Sequence, residues 1–132
     1  WAGYNFYGGK KVEYTLTPML GGVIGNSNGI AAGLEIDLTF KKFNLWSESE
    51  YLYSLDDVDY NFMYNWTDVT YSPKEWWWFG ISGQRTRLVE TDLEINRGLI
   101  LGIAVKSFEF TGYLYNIGFD KKYFLLTATY NF

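Results

Sequence analysis

Apolar and polar residues alternate one by one along most of this chain, and helical spacing is nearly absent. From Val12, the positions Val12, Tyr14, Leu16, Pro18 and Leu20 oppose Glu13, Thr15, Thr17 and Met19. Asn26 to Gly29 reads as a turn. Ala32, Leu34, Ile36, Leu38 and Phe40 then oppose Gly33, Glu35, Asp37 and Thr39, and a tight turn follows at Lys41-Lys42. Phe43, Leu45, Ser47, Ser49, Tyr51 and Tyr53 alternate with Asn44, Trp46, Glu48 and Glu50, up to a loop at Leu55 to Asp59. Tyr60, Phe62, Tyr64 and Trp66 face away from Asn61, Met63, Asn65 and Thr67. Ser72 to Glu75 reads as a turn, a strand starts within Trp76 to Gly83, and a polar loop is expected from Gln84 to Glu94. Leu99, Leu101, Ile103 and Val105 lead to a turn at Lys106-Ser107. Phe108, Phe110, Gly112 and Leu114 alternate with Glu109, Thr111, Tyr113 and Tyr115, and Gly118 to Lys122 leads into the closing strand.

The pattern predicts an all-β fold: an antiparallel, up-and-down transmembrane β-barrel of about eight strands, one domain over residues 1–132. Residues 1–9 are a lead-in, or a hairpin partner turning at Gly8-Gly9. In the second case the barrel has an extra strand or is part of a larger one. Connections alternate between tight and long, so one end of the barrel carries turns and the other carries loops.

Alternation alone does not say which face is the core, because a soluble lipocalin-like barrel alternates as well. Three features point to an apolar outside. The apolar face carries on the order of thirty large side chains, more than an eight-stranded lumen accommodates. The other face mixes Glu13, Glu35, Asp37, Glu48, Glu50 and Glu109 with Thr, Asn and small residues. Aromatics gather near strand ends, at Trp76 to Trp78, Tyr51, Tyr53, Tyr60, Trp66, Tyr130 and Phe132, as in an interfacial girdle.

Composition narrows the chemistry. The 132 residues include no Cys and no His, which removes disulfides, thiolate metal sites and every Ser-His or Cys-His pair. No metal site and no cofactor is expected. A net charge of -4 argues against nucleic acid as a partner. Aromatics make up 21 % of residues, more than a soluble domain of this size needs to bury. The chain opens at Trp1 without a Met, which reads as a processed or trimmed start.

The final nine residues, Phe124 to Phe132, set Phe124, Leu126, Ala128, Tyr130 and Phe132 on alternate positions. This ending resembles the C-terminal recognition signal of bacterial outer-membrane barrels. With the alternating segments before it, the whole chain resembles the small eight-stranded class, the OmpA or OmpX type. The resemblance implies a bacterial outer-membrane location. Lipids and lipopolysaccharide would be its surroundings, and an assembly machinery would read Phe124, Leu126, Tyr130 and Phe132. It also implies that the last strand pairs with the first and closes the barrel. Enzymes of this class resemble one another in relying on a His, so a non-enzymatic role follows, structural or carried by surface loops with a partner of unknown kind. A soluble lipocalin-like carrier of an apolar ligand is the alternative from another class.

The lumen is expected to hold a salt-bridge network of Glu13, Glu35, Asp37, Glu48, Glu50, Arg85, Arg97, Lys106 and Glu109. A two-residue turn at Lys41-Lys42 pairs Phe40 with Phe43 and sets Glu35 opposite Glu48, where like charges repel. Strict alternation points Arg85 and Arg97 outward, so a bulge near Gly83 is expected to turn at least one of them inward. Asp56, Asp57 and Asp59 read as solvated loop charge, without the spacing of a Ca²⁺ loop. The glycines of Gly98 to Gly102 read as relief of crowding in a strand.

Overall fold

The computed structural model describes residues 1–25, 28–57, 61–88 and 94–132. Ten strands form one antiparallel sheet: β1 (Ala2–Gly3), β2 (Phe6–Gly8), β3 (Glu13–Val23), β4 (Gly29–Phe40), β5 (Phe43–Ser54), β6 (Phe62–Lys74), β7 (Trp77–Leu88), β8 (Glu94–Val105), β9 (Phe108–Tyr115) and β10 (Tyr123–Tyr130). From β3 to β10 each strand pairs with the next, an up-and-down order. The β4–β5 turn is the two-residue Lys41-Lys42, with Phe40 opposite Phe43, Leu38 opposite Leu45 and Glu35 opposite Glu48. Lys41 and Lys106 open their turns with φ of 55° and 57°, the left-handed backbone that a tight connection requires.

Of the two readings of residues 1–9 the hairpin partner holds, and the count of about eight strands, the Ser72 to Glu75 turn, the Gln84 to Glu94 loop and the closure are corrected. β1 and β2 both pair with β3 in one continuous register, Ala2 with Leu20 and Phe6 with Leu16, and the chain turns at Gly9 with φ of 100°. They make ten strands rather than eight. The turn expected at Ser72 to Glu75 lies at its far end, at Glu75-Trp76: β6 runs on to Lys74, with a register shift between Tyr71 and Lys74. Gln84 to Leu88 is strand rather than loop, because Arg85 and Arg87 continue the ladder opposite Asn65 and Met63. The expected closure of the last strand on the first is not formed either. β1 and β2 hold the free edge of β3, and among the described residues β10 pairs only with β9. The expected turn at Asn26 to Gly29, the loop at Leu55 to Asp59, Tyr60 and the stretch from 89 to 93 lie partly or wholly outside the described residues.

The two faces differ sharply. Among the described residues the buried hydrophobic side chains are Ala31, Ile100 and Tyr115, while Ser54, Asn61, Asp68 and Ser82 are buried too. Most of the large aliphatic side chains lie on the outer face: Leu101 is 60 % exposed, Ile81 60 % and Leu126 61 %. Near the turns this face carries an aromatic band. Phe43 meets Tyr71 at 4.8 Å, Tyr71 meets Phe79 at 5.8 Å, and Phe108 meets Tyr130 at 4.9 Å between ring centroids.

Candidate functional site: the polar interior

Registers carry the inward face from strand to strand. Glu35 pairs with Glu48, Glu48 with Trp66, and Trp66 with Gln84, so all four share the concave side. Phe62, Tyr64 and Trp66 therefore point inward, and their neighbours Met63, Asn65 and Thr67 point outward. Trp78 is also inward, against Gly102. Trp66 and Trp78 thus leave the expected girdle and become lining.

Asp68 is the hub of this interior. The Trp66 indole donates to its Oδ1 at 2.7 Å, the Ser82 hydroxyl to the same oxygen at 2.5 Å, and the Tyr113 hydroxyl to Oδ2 at 3.1 Å. Ser82 Oγ also lies 2.6 Å from the Tyr115 hydroxyl. Asp68 is 7 % exposed, Ser82 5 % and Tyr115 0 %. A buried carboxylate is tolerated when several donors replace the water it has lost. Tyr123 adds a bond to Gln84 at 2.9 Å. These contacts tie β9 and β10 back to β6 and β7, over the strands between them, and they hold the sheet curled.

An aromatic row crosses the same space. Trp46 meets Trp66 edge-on at 5.7 Å, Trp66 meets Tyr113 at 5.5 Å, and Tyr115 stacks on Tyr123 at 4.7 Å. Glycines on β8 make room for it. A Cβ at Gly98 would lie 2.7 Å from the Tyr115 ring, and one at Gly102 would run into the Trp78 indole. Crowding explains the Gly98 to Gly102 spacing. Toward the turns lies a cleft of about 440 Å³, lined among others by Asp37, Asn44, Trp46, Glu109 and Thr111.

The sequence-derived site residues separate by charge. Glu13, Glu35, Asp37, Glu48, Glu50 and Glu109 lie on the inner face of their strands. The cations do not join them. Arg97 pairs with Gly83 and Arg85 with Asn65, on the outer face, and Lys106 sits in the β8–β9 turn. The register runs unbroken through Gly83. The shift in this hairpin lies at Tyr71/Lys74, on the turn side of Phe79, so nothing reverses the arginines. Lys121 to Glu94, at 3.6 Å, is the ion pair among the described residues. Neutral donors take the place of the expected cations: Asn44 binds Asp37 at 2.7 Å and Asn131 binds Glu109 at 2.9 Å.

Asp68 escaped the sequence reading because Phe62, Tyr64 and Trp66 look like a lipid face. A carboxylate two residues beyond an aromatic run is the signal that marks the run as lining. Phe124, Leu126, Tyr130 and Phe132 share the outer face of the last strand, with Tyr130 opposite Phe108. No protein-family model, curated protein or solved structure matches this chain.

Proposed function

We propose that this chain is a non-enzymatic transmembrane β-barrel of the bacterial outer membrane, acting as a wall or through its loops. The observation that carries the reading is the inversion of the two faces. Apolar side chains stand outward in an aromatic-bounded band, and hydrogen-bonded polar groups fill the inside. A lipid surround makes that arrangement favourable, whereas water would not. The eight long strands β3 to β10 suit the small OmpA or OmpX type, with β10 closing on β3 after β1 and β2 leave that edge. Phe124, Leu126, Tyr130 and Phe132 are the proposed assembly signal, and lipids with lipopolysaccharide the proposed surroundings. The interior bonds serve to hold the curl.

A second reading, part of a larger porin-like barrel, draws on the edges. β1 and β2 occupy the edge of β3, and they run in the same direction as β10. A nine-position sheet would have to close with a parallel pair, or continue into further strands.

Detergent dependence and gel mobility test the proposal. The expected result is a chain that stays dispersed only with detergent or lipid, and that migrates faster unboiled than boiled. A chain that is monodisperse in plain buffer would sink it and favour the carrier.

A further inference from the structure

The chain has three arginines, Arg85, Arg87 and Arg97, and all three lie on one patch of the outer face. Arg85 and Arg87 are successive outward positions of β7. Arg97 lies beside Gly83, one outward step from Arg85. Each is exposed, and among the described residues none has an ion-pair partner. Among the described residues, the strand positions of the outer face hold no Asp or Glu. The lysines lie elsewhere: Lys10, Lys11, Lys41, Lys42, Lys74 and Lys106 at the turn end, Lys121 and Lys122 in the last loop.

The wall beside the arginines is polar. Asn65, opposite Arg85, donates from Nδ2 to Ser49 Oγ at 2.9 Å and to Ser47 Oγ at 3.3 Å. Ser47 Oγ lies 2.8 Å from Thr67 Oγ1. Among the described residues this is the one polar break in the apolar band. Arg85 is eight residues beyond Trp77. At about 3.3 Å per residue and a tilt near 40° it stands about 20 Å above the turn-side aromatic band. Arg87 stands about 25 Å above it, and Arg97, level with Gly83, about 15 Å. An apolar band of about 25 Å ends at the height of Arg87, and the long side chains of Arg85 and Arg97 extend toward the headgroup layer of the loop-side leaflet from about 5 and 10 Å below it.

We propose that Arg85, Arg87 and Arg97, with Asn65 and Ser49 beside them, form a site for the phosphate of an anionic lipid headgroup. The inference rests on the membrane reading above and adds a ligand to it. Arginine suits phosphate because its planar fork donates two parallel hydrogen bonds, and the Ser49 hydroxyl, which accepts from Asn65, keeps its own proton to donate. A second copy of this chain offers no carboxylate on the described strand positions of its outer face, and a contact patch to patch would set arginine against arginine.

The full chain is inserted into phosphatidylcholine vesicles doped with dansyl-labelled phosphatidic acid or, separately, with dansyl-labelled phosphatidylcholine. Energy transfer from tryptophan reads the lipid next to the wall. The expected result is preference for phosphatidic acid, displaced by unlabelled phosphatidic acid and weakened about tenfold in R85Q/R87Q/R97Q. K41Q/K42Q, which removes two positive charges at the turns, should keep the preference. The gel-mobility shift of the triple variant shows whether it still folds, and the single variant R85Q, expected to lose part of the preference, serves if it does not. Insertion without preference, equal loss in K41Q/K42Q, or displacement by inorganic phosphate as effective as by lipid would overturn the lipid site and leave the membrane reading standing. Failure of the parent chain to insert would overturn both.

Discussion

Tyr113 on β9 donates to Asp68 on β6 at 3.1 Å, reaching over β7 and β8. Only a tightly curled sheet brings those side chains together. Asp68→Ala removes the acceptor of Tyr113 and one acceptor each of Trp66 and Ser82, which keep only each other and Tyr115. The expected loss is about 2–4 kcal/mol, with Asp68→Asn milder because one acceptor oxygen remains. Urea titration of the chain folded in lipid vesicles measures it. An Asp68→Ala variant as stable as the parent would remove Asp68 from the role of hub.

The glycine at 102 is a packing requirement. Trp78 lies where a Cβ would stand, so Gly102→Ala forces the indole out of place. We expect a loss of about 1–3 kcal/mol, and partial recovery when Trp78→Phe is added. The same titration on the two single variants and the double variant gives the coupling. Additive losses would mean that the two side chains do not compete for space.

Glu35 and Glu48 oppose each other directly, with no Lys or Arg nitrogen bridging them among the described residues. Directly opposed like charges destabilise a strand pair. Glu35→Gln is expected to stabilise the fold by about 0.2–1 kcal/mol at neutral pH, and Glu35→Lys by at least as much. A drop in midpoint for both variants would show that the carboxylate pair is held by something that the sheet alone does not supply.

Charge on the outer face should be costly where the band is apolar. Ile36 lies toward its middle, paired with Ser47, and Leu101 lies nearer the turn-side aromatics, paired with Phe79. Ile36→Arg is expected to lose about 2–4 kcal/mol in lipid vesicles, and Leu101→Arg somewhat less. Losses under about 0.5 kcal/mol at both sites would mean that this face does not meet lipid.

Period-two alternation, read along the chain, determined the strand class, the up-and-down order and most strand positions. Side chains in a strand can only point to one face or the other, and their order is local information. The Lys41-Lys42 turn likewise set the β4–β5 register, down to Glu35 opposite Glu48, because a two-residue connection leaves no freedom in the pairing. Tertiary structure decided what alternation cannot express. Phe62, Tyr64 and Trp66 are apolar enough for either face, and the pairing of Glu48 with Trp66 sends them inward and makes Asp68 a lining residue. The arginines kept the outward parity that alternation assigned. The expected bulge is absent because the register runs unbroken through Gly83, and Asn44, Asn131, Ser82, Trp66 and Tyr113 answer Asp37, Glu109 and Asp68 without any cation. Most of these partners sit on the same or the neighbouring strand, but Tyr113 reaches Asp68 across β7 and β8, and only the curl of the sheet brings that pair within reach. The free edges were equally beyond local pattern: β1 and β2 are too short to alternate convincingly, and they form as strands because β3 offers them an edge to pair with.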